Sequence, residues 1–468
     1  MKKTNVKRIS IIMIIIISLI SVSAIIYATT TIQNPTTITF EDRNLYDSIK
    51  KQLSAKKIAY NCNDVENSIE VSTNDVEKVT ELDLSTSTIT NLSGLENFSN
   101  LNSLNLSQNM ITTASPLTQL TKLEKLNMTE NAINTEILTT ISKLTTLREL
   151  NMTNTKMNGD QLEYFKNLTN LNVLILASNN ISAIGKISNL TELNKLDISV
   201  NTSFTDFLQL TSFVNLTELN VSGTGITTFS GAKQGEGIEK LEKLEKLYAS
   251  DIKGITSVRG IEAIYRTVYR DNVREAYLKN LKFLNLSSMG IKGSRPSINF
   301  SDMIYLTNLE ELHLASNEIN NVSGIINLAS LKVLDLRDNN ISSISNLASV
   351  NSKGEVVTEN VFKAEKIDFS KNKIVDISIF SNYPGDLKWL DLSENSIYDI
   401  TPLDKYNFNG NSGKILYLEN QDITFGLYNK TINVNHYIIL PTIFTYSKKE
   451  GTFAYDQNTT FEYSDGVS

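Results

Sequence analysis

Cysteine occurs once in 468 residues, at Cys62. A single thiol cannot close an internal disulfide, and with no CxxC pair the usual zinc and redox spacings are excluded as well. Cys62 also lies too far from the N-terminal apolar run to be a lipid-attachment cysteine, and it is expected as a small buried residue of an N-terminal cap. Histidine occurs only as His313 and His436. Neither sits in HExxH, and the chain lacks GxSxG, phosphate-loop and calcium-loop patterns. No enzyme is therefore expected within these residues, and no metal or cofactor.

Clustered positive charge is scarce too. The net charge is −7. Removing residues 1–28 removes four cations and no anions, which takes −7 to −11. A phosphate footprint needs a basic face, so nucleic acid is not an expected partner. Apolar residues make up 40% and charged residues 20%, as in an ordinary soluble protein.

Long apolar runs are confined to one place. Lys2, Lys3, Lys7 and Arg8 precede an unbroken stretch from Ile9 to Tyr27. This is an export signal, cut after Ala24 or Ala28 or retained as an anchor, because the run is long enough to span a bilayer. Either outcome places the rest of the chain outside the cytoplasm, secreted or at the cell surface, with the membrane touched only through an uncleaved segment.

What the remainder contains is repetition. LKVLDLRDNNISSISNL (331–347) has apolar spacings of three that would suit a helix, yet Leu334 and Leu336 are two apart, which is strand spacing. Stretches 101–117, 171–187, 309–325 and 387–403 superpose on it without gaps as LxxLxLxxNxIxxIxxL. From Leu82 to Leu104 to Leu126 the step is 22, as from Leu312 to Leu334. That period marks a leucine-rich repeat. Fourteen copies are centred on 82, 104, 126, 150, 174, 196, 219, 247, 284, 312, 334, 367, 390 and 416. Length alone suggests several globular domains, but a solenoid grows by stacking and overrides that expectation.

Each L-x-L should be a short strand of a parallel sheet on the concave face, with its leucines inward. The Asn column (109, 131, 179, 201, 317, 339, 372, 395) is expected to satisfy backbone groups at the turn. Ahead of the repeats, Leu45, Ile49 and Leu53 recur every four residues after Asp42, which predicts a short amphipathic helix covering the open end of the stack. The organisation is then 1–28 signal or anchor, 29–78 helical N-cap, 79–426 repeats and 427–468 the start of a β domain, where apolar and polar residues alternate between turn signals.

Regularity fails between centres 219 and 312, whose steps are 28, 37 and 28. Extra residues lie within 230–305. Ile264, Tyr265, Val268 and Tyr269 predict a helix on the outer flank. The same insert carries Arg259, Arg266, Arg270 and Arg274, a basic patch that reads as a solvated face or as a docking site for an acidic partner.

Ligand-binding candidates are the positions flanking the inward leucines. Most are Asp, Asn, Ser, Lys or Glu; the exceptions are Val173, Ile175, Tyr248, Phe283, His313, Val333, Trp389 and Tyr417, and Arg337 stands beside them. Aromatics held out on a rigid sheet are anchors for a partner. Asp335, Asp368 and Asp391 share one column and read as a solvated position that tolerates Asp or Asn.

Together, the Phe40-Glu41-Asp42 lead into a helix, NLSGLENFSNLNSLNLSQNMIT (91–112), SPLTQLTKL (115–123), YDITPL (398–403) and NQDITF (420–425) followed by YIILPTIF (437–444) resemble the internalin-type leucine-rich-repeat surface proteins of Gram-positive bacteria. The resemblance implies a curved solenoid with a helical cap, an immunoglobulin-like β region after it, display outside the cell, and adhesin-like binding of a protein, a host cell-surface protein among the options, or of a glycan by a monomer. The alternative is a scaffold within a larger surface protein. No LPxTG wall-sorting motif is present, since Leu440-Pro441-Thr442 is followed by Ile443-Phe444.

Overall fold

The computed structural model describes residues 32–232, 236–255, 265–268, 273–291, 300, 303, 306–348, 357, 361–406, 408, 413–421, 444–446 and 453–455. The N-terminal apolar run and most of the region after 421 lie outside these residues. Two compact units divide between Lys156 and Met157. Among the described residues no helix is long and apolar enough to cross a membrane.

In the first unit the Asp42 side chain starts helix α1 (Arg43–Ala55) by accepting from the backbone N–H of Asn44 at 2.8 Å and Leu45 at 3.1 Å. These are the orphan donors of a first turn. The apolar stripe Leu45, Tyr46, Ile49 and Leu53 is wholly buried. Strands β1 (Pro35–Thr39), β2 (Tyr60–Asn63) and β3 (Ser68–Ser72) add an antiparallel sheet in the order β1-β3-β2, which the repeat pattern does not announce. Cys62 is exposed on β2, an edge strand, and so is not the buried residue expected.

The repeats begin at β4 (Glu81–Asp83), followed by β5 (Ser103–Asn105), β6 (Lys125–Asn127) and β7 (Glu149–Asn151), paired in parallel with their leucines in register. Gln52 of α1 donates to the Asp83 carbonyl at 2.8 Å, so the cap supplies a partner at the strand that opens the ladder.

The second unit carries β8 (Val173–Ile175), β9 (Lys195–Asp197), β10 (Glu218–Asn220), β11 (Lys246–Tyr248), β14 (Phe283–Asn285), β15 (Glu311–His313), β16 (Val333–Asp335), β17 (Lys366–Asp368), β18 (Trp389–Asp391) and β19 (Ile415–Tyr417), each parallel to the next. Their central residues are buried, and each one is worth about 1.5–3 kcal/mol. Strand β11 pairs directly with β14, so the irregular segment leaves the ladder and rejoins it in register. That segment holds a hairpin, β12 (Tyr265–Val268) against β13 (Val273–Ala276), instead of the predicted helix. Tyr, Thr and Val favour the pleated backbone, which outweighs the fourfold spacing. A second hairpin pairs β20 (Phe444–Tyr446) with β21 (Phe453–Tyr455). The rest of the predicted β domain falls outside the described residues.

The Asn column is satisfied as expected. Asn317 donates to the carbonyls of Leu286, Leu314 and Ala315 at 3.0, 2.9 and 3.2 Å and accepts from the N–H of Met289 and Ile291 at 3.0 Å each. Where Asn is absent, Thr155 and Thr224 donate to the carbonyl three residues back. Gln421 fills the same position after β19, reaching the Leu392 and Leu418 carbonyls.

One residue earlier, every repeat turns through positive φ, from Thr86 and Gln108 to Glu394 and Asn420, with Gly223 the one glycine. Val200 adopts φ 57° there while 52% exposed. A left-handed conformation costs an L-residue about 1–2 kcal/mol, and β-branching makes it worse. Val200→Asn is expected to stabilise the second unit by about 1 kcal/mol in urea titration, since Asn tolerates this region.

Candidate ligand-binding face

Strand side chains alternate, so the residues on either side of each central leucine share the outward face. Those following the leucine do a local job. Asp197, Asn220, Asn285, Asp335, Asp368 and Asp391 each accept the N–H two residues on, at 2.8–3.2 Å. That bond needs a side-chain oxygen and no charge, and Asn supplies it as well as Asp.

Asp335, Asp368 and Asp391 are nonetheless three carboxylates in direct register on β16, β17 and β18. Neighbouring strands lie roughly 4.8 Å apart. Asp368 is 8% exposed, not solvated as the sequence suggested. Burial pushes its carboxyl above the usual range, bonds from the Ser370 hydroxyl and N–H oppose this, and the charges of Asp335 and Asp391 add to the rise. The one cation near the row is at one end: Arg337 Nε lies 3.7 Å from Asp335, and the ring nitrogen His313 Nδ1 lies 3.6 Å from the same carboxylate. Among the described residues no cation comes within 4.0 Å of Asp368 or Asp391, and exposed Lys366, two residues before Asp368, pairs with neither.

A carboxyl raised in the fold above its unfolded value of 3.8 binds protons better when folded, so its contribution weakens stability as pH rises through that window. Asp368→Asn keeps the acceptor for Ser370. It is expected to raise stability at pH 7 by up to about 1 kcal/mol, as relieving like charges on neighbouring strands does, and to weaken the fall of stability as pH rises above 3.8, read from thermal melts.

Aromatic groups flank the acidic row. Tyr248 and Phe283 have ring centroids 4.6 Å apart, and Phe283 and His313 5.1 Å, making a stack across β11, β14 and β15. His313 Nε2 is buried, 3.6 Å from Glu311 Oε2, and makes no hydrogen bond. On the other side Trp389 and Tyr417 meet at 5.8 Å. All five rings are half-buried.

The predicted positions thus divide. Tyr248, Phe283, His313 and Arg337 gather with Asp335, while Trp389 and Tyr417 pair beside Asp391. Val333 is half-buried on β16, in register with Glu311 and Lys366. Val173 and Ile175, on β8, are in register with Lys195 and Asp197 of β9 and do not join this group. Of the basic insert, Arg266 pairs in register with Glu275 and Arg274 with Thr267, so the two arginines are not partners; Arg259 and Arg270 lie outside the described residues. Sequence reasoning left Asp335, Asp368 and Asp391 out of the site. The available signal was three successive aspartates in a column where Asn serves at 105, 127, 151, 220 and 285.

The leucine-rich-repeat profiles match residues 307–349, as two copies, and 119–142. Among solved structures, the internalin InlF of Listeria monocytogenes is 22% identical over 82% of this chain and 97% of its own, with a TM-score of 0.50. The functional domain of InlJ from the same organism is 22% identical over 84% and 74%, with a TM-score of 0.55. A leucine-rich-repeat protein of Leptospira interrogans is 24% identical over 75% and 87%, with a TM-score of 0.56. The fold is the internalin-type leucine-rich-repeat solenoid. No curated protein sequence matches the chain. The InlJ domain includes a cysteine ladder; this chain has Cys62 as its single cysteine, and its Asn column bonds successive turns to one another.

Proposed function

We propose that this leucine-rich-repeat chain is an extracytoplasmic, non-catalytic protein-binding module, adhesin-like, that recognises its partner with the strand face of the second unit. The observation that carries this reading is the pair of aromatic groups, Tyr248–Phe283–His313 and Trp389–Tyr417, held half-exposed on a hydrogen-bonded ladder. Rigid aromatics lose little entropy when a partner covers them, and such residues dominate binding energy. The cationic, apolar N-terminus supports export, and display at the surface or release follows from it.

The test is binding of the purified chain to animal cells and, separately, to bacterial cell walls, with wild type compared against a Trp389→Ala/Tyr417→Ala variant of unchanged melting temperature. Saturable cell binding that falls by roughly tenfold or more in the variant is the expected result. Binding indifferent to both substitutions would remove this face from consideration.

A further inference from the structure

We propose that the partner enters this face with a lysine or arginine side chain, seated between Asp368 and Asp391 with its aliphatic stem across Trp389. The inference rests on the binding face proposed above and names the chemistry it takes.

Three observations lead there. Charge in this column serves no local purpose, because Asn makes the same strand-end bond at Asn105, Asn127, Asn151, Asn220 and Asn285. Three successive aspartates therefore add repulsion that the fold does not require, and Asp368 is buried within it. Elsewhere the chain does neutralise its ladders. The column two residues before each central position runs Glu245, Lys282, Glu310, Lys332, Glu365, Lys388, with ion pairs at 2.9, 2.9 and 2.6 Å. The acidic row lacks such compensation beyond Arg337 at its Asp335 end.

The surroundings select an organic cation. Among the described residues no three His, Cys, Asp or Glu groups are placed to hold a metal ion. Trp389 precedes Asp391 by two residues on the same strand and so shares its face, and its ring beside Tyr417 offers a cation–π surface. A long side chain with an apolar stem and a charged head matches that pairing.

Trp389 is the only tryptophan, so its fluorescence reports on the site directly. The probe is an acetylated octapeptide with two arginines, against the same peptide with citrulline, an uncharged isostere, titrated into the whole chain at physiological salt. A saturable fluorescence change with the arginine peptide is expected, with affinity weaker by roughly tenfold or more for citrulline and for Asp368→Asn/Asp391→Asn, and unchanged for Asp197→Asn on β9. The double variant keeps both acceptor oxygens, and its melting temperature is expected to rise, which separates lost binding from lost folding. Equal affinities, or no saturable response at millimolar peptide, overturn the proposal. The two proposals fail differently: cell binding that needs Trp389 and Tyr417 but ignores Asp368→Asn/Asp391→Asn keeps the face and discards the cation.

Discussion

Asn317→Ala lowers the stability of the second unit by about 3–5 kcal/mol, the largest effect expected of any single substitution outside the leucine core. The amide is 7% exposed and makes five contacts with backbone groups of its own turn and the preceding one. The preceding repeat has Met289 in place of Asn, and both the Met289 and Ile291 N–H groups turn to Asn317, as the Ser87 and Ile89 N–H groups turn to Asn109. Alanine leaves donors and acceptors unpaired in a place water reaches poorly, which is the expensive way to lose a hydrogen bond. Since each repeat contacts only its neighbours, the damage should be felt first by the repeats on either side. Urea titration followed by Trp389 fluorescence measures it, and a loss below about 1 kcal/mol would mean these groups find water instead.

Asp42→Asn destabilises the first unit by about 2–4 kcal/mol. One carboxylate oxygen caps α1; the other accepts from the Thr90 N–H and hydroxyl at 2.7 Å each and from the Asn91 N–H at 3.1 Å. One side chain thus starts the helix and fastens it to the first repeat. Asparagine keeps a single acceptor and turns an NH₂ towards donors. Burial alone would raise this carboxyl, but the bonds from Thr90, Leu45 and Asn91 outweigh it and hold the group below 3.8. A depressed carboxyl contributes stability that is present above its unfolded value and lost as pH falls through the folded one. Acid unfolding of the first unit, followed by far-ultraviolet circular dichroism, should therefore lose its steepest part below pH 4 in the Asn variant.

Much of this molecule was legible in its period. The recurring pair of apolar residues two apart located every strand centre, even where the step departs from 22, because an inward apolar residue must recur in each turn for stacked turns to share a core. The Asn column was legible for the same reason, as one amide per turn pairs carbonyls that the bend leaves free. Other features were not. Where the apolar spacing suggested a helix, Tyr265–Val268 is a strand paired with Val273–Ala276, since apolar spacing in a short stretch does not separate the two and aromatic and β-branched residues favour the strand. Gln421 serves in the Asn column, yet one extra methylene hid it from the pattern.

By itself, then, the sequence determined the repeat, the register of its leucines and the capping helix, all of which follow from local spacing and the burial of apolar faces. Tertiary structure alone decided the character of the outward face. Asp368 is an ordinary polar residue of its repeat until β16 and β18 bring Asp335 and Asp391 beside it, and Tyr248, Phe283 and His313 are far apart in sequence until the ladder closes over the insert. Charge repulsion and ring stacking act through space, over distances that only the parallel pairing of strands sets.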